Sequence, residues 1–264
     1  MIEERVHPTS VGLRNRNILG MRVDATSYDD ATQRVLAWAA NNESRSVCVA
    51  NVHMTMEAFD SPEFREIVNS ADLVTPDGMP LVWMLRRLGV PTQERVYGPE
   101  LTLRICEAAA QRAVPVGFYG GSERALAAMV ENLKARFPSL QVAYAYSPPF
   151  RPLTLEEDDQ IVNAINASGA RILFVGLGCP KQERWLAAHR GRVQAVMLGV
   201  GAAFDFHAGT VRQAPPWMQR AGLEWFFRLL MEPRRLWRRY FKHNPRFMVL
   251  ATAQLLKTRM FRGQ

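Results

Sequence analysis

A mainly parallel α/β sheet flanked by helices, followed by a basic helical C-terminal appendage, is what this 264-residue sequence predicts. Three observations predict it. From residue 46 onward, short β-branched or apolar runs alternate with longer helical patterns, the signature of βαβ units. Turns rich in Gly, or carrying Pro-Asp-Gly, close the apolar runs as strand exits do. The alternation then stops at Ala214-Pro215-Pro216, beyond which Lys and Arg far outnumber the acids.

In chain order, residues 18–23 add a strand or a small hairpin at one edge. Residues 46–50, Ser-Val-Cys-Val-Ala, read as a strand followed by a helix to about residue 70. Residues 71–75 form a short strand ending at Pro76-Asp77-Gly78, with helices near 79–88 and 99–112. A strand at 115–119 is closed by Gly120-Gly121 and leads into a helix over 122–137. Strands at 142–146, 172–175 and 195–200 complete the set, with helices at 155–167 and 181–189 between them. The body is thus a Rossmann-like sheet over residues 1–216. In the appendage, residues 217–264, Pro233 and Pro245 are natural first-turn residues and are each expected to start a new helix.

Charge is segregated along the chain. Residues 217–264 hold eleven Lys/Arg against two acids, Glu224 and Glu232, while the rest holds 22 against 23. The formal charge of +8 therefore sits in the appendage, among Trp217, Trp225, Phe226, Phe227, Trp237, Tyr240 and Phe241. A near-neutral body with such an appendage suggests an enzyme working at an anionic surface, either lipid headgroups or a diphosphate. A nucleic-acid-binding protein is the competing reading; it requires salt-sensitive binding and leaves the strand-end residues without a task. Cys48, Cys106 and Cys179 lie far apart, as in a reducing compartment. Residues 1–17 are polar, unlike a signal peptide. The apolar stretch 247–261 is interrupted by Gln254, Lys257 and Arg259, short of the roughly 20 residues a membrane span requires. A cytoplasmic protein, soluble or attached peripherally through its basic tail, is expected.

Ligands of open α/β sheets bind beyond the carboxyl ends of strands, where backbone N–H groups point outward. The segments to inspect are Asn51-Val52-His53, Asp77-Gly78, Gly120-Gly121-Ser122, Gly176-Leu177-Gly178-Cys179-Pro180-Lys181-Gln182-Glu183 and Gly199-Val200-Gly201. None fits a Gly-x-Gly-x-x-Gly or Walker pattern, so nicotinamide and ATP lose support and no cofactor is expected. Asp77 either faces a cleft and accepts a proton or braces an Asp-Gly turn. Arg95 reads alone as a solvated charge. The five histidines are scattered with no His-x-x-x-His pair, and Glu156-Glu157-Asp158-Asp159 falls in a first helical turn, so no metal site is expected. Arg228, Arg235, Arg239, Lys242 and Arg246 would share one face of a continuous helix, either lying on a membrane or clamping a diphosphate.

Six ordered segments carry a resemblance. They are the run from Ala71 to Gly78, Arg95-Val96-Tyr97-Gly98, Phe118-Tyr119-Gly120-Gly121, the run from Val175 to Glu183, Gly199-Val200-Gly201-Ala202-Ala203-Phe204-Asp205, and Glu224-Trp225-Phe226-Phe227-Arg228. In these the chain resembles the WecG/TagA/CpsF glycosyltransferases of bacterial surface-polysaccharide synthesis, from about residue 17 to 239. The resemblance implies an inverting, metal-independent transferase. Its donor would be a UDP-sugar, and its acceptor a sugar on undecaprenyl diphosphate at the inner face of the cell membrane. Asp77 would be the general base, with Asn51 beside it and Arg95 orienting the substrates. Gln182 would contact the nucleotide, Gly120, Gly178 and Glu183 would belong to the substrate-binding residues, and Arg228, Arg235 and Arg238 would fall near the leaving diphosphate. Val49 stands where the family commonly has Thr, which leaves the donor sugar undecided between N-acetylmannosamine, glucose or another. A subunit that binds UDP without transferring sugar is the remaining alternative, and homo-oligomerisation is left open.

Overall fold

The computed structural model describes residues 14–262; the polar segment weighed above as a signal peptide lies largely outside them. The chain begins with an antiparallel hairpin, β1 (Asn15–Ile18) and β2 (Met21–Asp24), turned by Leu19 and Gly20, both at positive φ. It forms its own two-stranded sheet and does not extend an edge of the main one. The carboxylate of Asp24 reaches across to accept the Val74 N–H at 2.7 Å, pinning hairpin to body. Next comes α1 (Tyr28–Ala40), absent from the sequence expectation, capped by Ser27 and with Asp29 and Asp30 in its first turn.

The main sheet draws on β3 (Arg45–Ala50), β4 (Leu73–Pro76), β5 (Val116–Gly120), β6 (Val142–Tyr146), β7 (Ile172–Gly176) and β8 (Val196–Gly199). Their order is β4-β3-β8-β7-β5-β6, with every neighbouring pair parallel. Side chains alternate faces along a strand. Accordingly Val47 and Val49 enter one core layer and Cys48 and Ala50 the other, as do Ile172 and Phe174 against Leu173 and Val175. Both faces are buried over β3, β4, β5, β7 and β8, as a parallel sheet requires, while the edge strand β6 is largely exposed. The crossovers are α2 (Val52–Asp60), α3 (Pro62–Asn69), α4 (Met79–Arg87), α5 (Gly98–Gln111), α6 (Glu123–Arg136), α7 (Leu155–Ser168) and α8 (Lys181–His189). After β8 come α9 (Ala203–His207), α10 (Pro216–Arg220), α11 (Glu224–Met231) and α12 (Pro233–Arg262).

Three local expectations are settled here. The single helix to residue 70 is two, because Ser61 is extended before Pro62 and its hydroxyl accepts the Phe64 N–H at 3.2 Å, capping a new start. The acidic run 156–159 is helix-start chemistry: Thr154 and Glu157 form a capping box, and Asp158 pairs with His189 and Arg192. Pro233 does begin a helix, but Pro245 lies inside α12. Contacts on both sides of it offset the lost backbone hydrogen bond. Leu236, Phe247 and Ala251 are buried, Arg246 forms two hydrogen bonds to Asp60 at 2.7 and 2.9 Å, and Gln254 bonds the backbone of Leu19 and Asn17 in the hairpin. The basic appendage is therefore docked along the body.

Gly120 shows how tightly the strand exits are packed. At φ +120° a Cβ there would sit 2.7 Å from the Gly176 carbonyl group of the adjacent strand, with backbone on the receiving side. Gly120→Ala is expected to destabilise the fold by roughly 2–3 kcal/mol through backbone strain and overpacking, measured as a lowered urea midpoint with unchanged slope.

Candidate active site

A cavity of about 1250 Å³ opens at the carboxyl ends of β3, β4, β5, β7 and β8 and is walled on its other side by α11 and α12. It is large enough for a nucleotide-sized ligand. Asn51, Asp77, Gly121, Gly178 and Gly201 line it from the strand exits, and Glu224, Arg228, Arg235 and Arg239 from the C-terminal helices.

Asp77 sits where β4 leaves the sheet. Its N–H and that of Gly78 both donate to the Ala50 carbonyl, at 2.8 and 3.2 Å, which binds the exits of β3 and β4 together. Gly78 packs against Asn51, where a Cβ would lie 3.4 Å from the Asn51 Cα. The Asn51 side chain caps α2 by accepting the Met54 N–H at 3.2 Å. Oδ1 of Asp77 accepts the Gly98 N–H at 3.0 Å, while among the described residues no hydrogen-bond donor engages Oδ2. The carboxylate therefore braces its loop with one oxygen and keeps the other for the cavity.

Arg95 organises the surroundings. Its Nε donates to the Asp77 carbonyl, and one Nη lies 3.7 Å from the Asp77 carboxylate and 2.7 Å from that of Glu224. The guanidinium stacks 4.0 Å from the Tyr97 ring centroid, and the Tyr97 hydroxyl donates to Glu224 at 3.1 Å. Burial pushes the Asp77 pKa up to about 6; Arg95 pulls it down and Glu224 pushes it up again. A carboxylate held near 6 accepts a proton far more readily than an exposed aspartate.

The remaining expected residues divide into two groups. Gln182 lines the cavity, with its Oε1 taking the Gly178 N–H at 3.1 Å and its Nε2 donating to Glu183 at 2.8 Å. Glu183 is buried beneath this turn, off the cavity wall, and burial raises its pKa to about 7. Gly120 is likewise behind the wall, which Gly121 forms. Arg228 and Arg235 face the cavity. Arg238 does not: it is exposed, its guanidinium over the Trp237 ring, and Arg239 takes the inward position one residue on. The Nε atoms of Arg228 and Arg239 are buried without a hydrogen-bond partner among the described residues.

Glu224 and Tyr97 escaped the sequence reading as site residues. Glu224 had a signal, being one of two acids in a strongly basic segment.

The family model described as "Glycosyl transferase WecG/TagA/CpsF family" matches residues 16–260. Among curated relatives, a Bacillus spizizenii protein is 34% identical over 199 residues, 75% of each chain. One from Staphylococcus aureus strain MW2 is 28% identical over 250 residues, 94% of each. A Bacillus subtilis protein is 27% identical over 194 residues, 73% of each. All three are named N-acetylglucosaminyldiphosphoundecaprenol N-acetyl-beta-D-mannosaminyltransferase. The chain belongs to the WecG/TagA/CpsF glycosyltransferase family.

The raised pKa of Asp77 has a consequence for stability. Below about pH 4 the carboxyl is protonated in both folded and unfolded chains and costs nothing. Between the ordinary value of 3.8 and about 6 only the unfolded chain ionises, so stability falls as pH rises through that window and stays lowered above it. Asp77→Asn removes this cost while its amide oxygen can still accept the Gly98 N–H. The variant is expected to be more stable than wild type by about 1–3 kcal/mol at pH 8, with the difference vanishing near pH 4 in denaturant titrations.

Proposed function

We propose that this glycosyltransferase moves a hexose or N-acetylhexosamine from a UDP-sugar onto a sugar carried by undecaprenyl diphosphate, with inversion at the anomeric carbon. Asp77 accepts the proton of the acceptor hydroxyl, whose oxygen bonds the anomeric carbon as the bond to the diphosphate oxygen breaks. The observation that carries this reading is a sheltered carboxylate, poised near pH 6, in the same cavity as two guanidinium groups, Arg228 and Arg239, whose buried Nε atoms have no hydrogen-bond partner among the described residues. Charge develops on the departing nucleotide, and fixed cations in a low-dielectric site stabilise it strongly. Arg228, Arg235 and Arg239 supply them, so no divalent cation is needed at the diphosphate. One base is sufficient for a single displacement. Gly178 and Gln182 open α8 on the nucleotide side.

The acceptor class is the one in the relatives' names, and the outer surface suits it. Among the described residues no helix is long and apolar enough to cross a membrane. Leu230, Met231, Trp237 and Phe241 are nevertheless exposed beside Arg234 and Arg238, a combination that favours the headgroup region of an anionic bilayer. Attachment to the inner face of the cell membrane, where lipid-linked sugars and cytoplasmic nucleotide sugars meet, follows from this reading.

Transfer assays with UDP-sugars and lipid-linked acceptor, without added Mg²⁺ or Mn²⁺, test the proposal. Asp77→Asn is expected to lower kcat by 10²–10⁴-fold with UDP affinity retained. Wild-type kcat/KM should rise with pH through about 6, the range in which Asp77 ionises. Glu224→Gln removes a negative neighbour and frees Arg95 for Asp77, so the rising limb should move to lower pH and the plateau should fall on the order of threefold. Equal turnover by Asp77→Asn and wild type would remove Asp77 from the base role.

A further inference from the structure

Where α12 lies along α2, three side chains that the transfer chemistry leaves unused converge. His53 and Glu57 stand one turn apart on α2, and His243 reaches them from α12. Glu57 Oε1 is 3.8 Å from His53 Nδ1 and 3.5 Å from His243 Nε2, and the two imidazole centroids are 5.2 Å apart. With one ligand atom taken from each residue, all three lie within 4.8 Å of one another. No other set of three His, Cys, Asp or Glu side chains gathers this way among the described residues. The sequence concealed it because the histidines are 190 positions apart and belong to different helices.

The local hydrogen bonding is incomplete in a specific manner. The Nδ1 atoms of His53 and His243 are both buried without a partner. His53 Nδ1 and Glu57 Oε1, 3.8 Å apart, are too far for a hydrogen bond and close enough to share a ligand.

We propose that His53, Glu57 and His243 form a transition-metal site, suited to Zn²⁺, that clips α12 to α2 with its open position toward the cavity. Two neutral imidazoles and a carboxylate are a donor set that borderline metals such as Zn²⁺ accept, whereas Mg²⁺ and Ca²⁺ prefer oxygen alone. Zinc bonds of about 2.1 Å in a tetrahedron set ligand atoms about 3.4 Å apart. The two observed separations to Glu57 are close to that, and small side-chain rotations bring in the third. Arg239, Lys242 and Arg246 oppose a dication here, but Asp60 already pairs with Arg246 at 2.7 Å and with Lys242 at 3.9 Å. Both histidines line the cavity, so water can complete the shell. Arg239 stands one turn before His243 on α12, so the clip also holds the helical register that presents Arg239 inward.

The test uses the untagged full-length chain, freed of metal and titrated with Zn²⁺ by calorimetry and with Co²⁺ by visible absorption. One equivalent should bind, Co²⁺ should give the intense visible bands of a four-coordinate site, and Zn²⁺ should raise the thermal midpoint. His243→Gln and Glu57→Gln should each weaken Zn²⁺ at least tenfold and abolish that rise. Failure of the wild-type chain to take up a stoichiometric equivalent overturns the site without reference to any variant. Unchanged affinity in both variants, if they unfold at the metal-free wild-type midpoint, overturns it equally.

Discussion

The guanidinium of Arg95 is the interaction on which the site depends. It holds the main chain of the β4 exit through the Asp77 carbonyl, stacks on Tyr97 in the segment before α5, and pairs with Glu224 at the start of α11. The β4 exit, 18 residues earlier, and the start of α11, 129 residues later, thus meet on one planar cation. Buried charge of this kind is tolerated when it is paired and hydrogen-bonded on several sides, and is costly once a partner is lost. Arg95 is shared between two carboxylates, so it neutralises neither fully. Burial is what raises the Asp77 pKa; Arg95 opposes it only in part, and Glu224 adds to it. A guanidinium devoted to Asp77 alone would hold the carboxylate ionised and make it a weaker base.

The parts of the fold that could be read beforehand are those whose signal is local. The β5 and β7 runs are apolar and bounded by Gly or Pro, β3 carries the apolar run Val47-Cys48-Val49-Ala50 before Asn51, and the helix over 181–189 was placed from Pro180 after a glycine turn. The strand exits followed, which is why Asn51, Asp77, Gly178 and Gln182 were all found on the cavity wall. What escaped was set by contacts distant in sequence. Pro245 is a helix-start residue by local rule, and Phe247, Ala251 and Gln254 override the rule by docking against segments more than a hundred residues away. Arg238 and Arg239 are chemically alike neighbours, and helix rotation against α2 decides which one turns inward. Glu224 gained its role through a partner 129 positions earlier, Arg95, which itself reads as an ordinary surface charge.

The charge excess of the C-terminal segment also resolves into distinct uses once the pairs are known. Arg246 and Lys242 are committed to Asp60, so these cations fasten α12 to α2, while Arg235 lines the cavity and pairs with Glu232 at 2.6 Å at the same time. Arg234 and Arg238 are exposed on the outside, in water that screens them beyond about 8 Å at physiological salt. They can steer the protein toward an anionic surface and contribute little at the reaction centre. Arg228 and Arg239 are different: each is partly buried, lines the cavity and retains an Nε without a partner. A buried donor left unsatisfied costs stability, and that cost is recovered when an anionic oxygen arrives. Under the proposed function, that anion is the diphosphate of the nucleotide sugar. This is the arrangement expected of groups whose strongest interaction is reserved for charge that appears during the reaction.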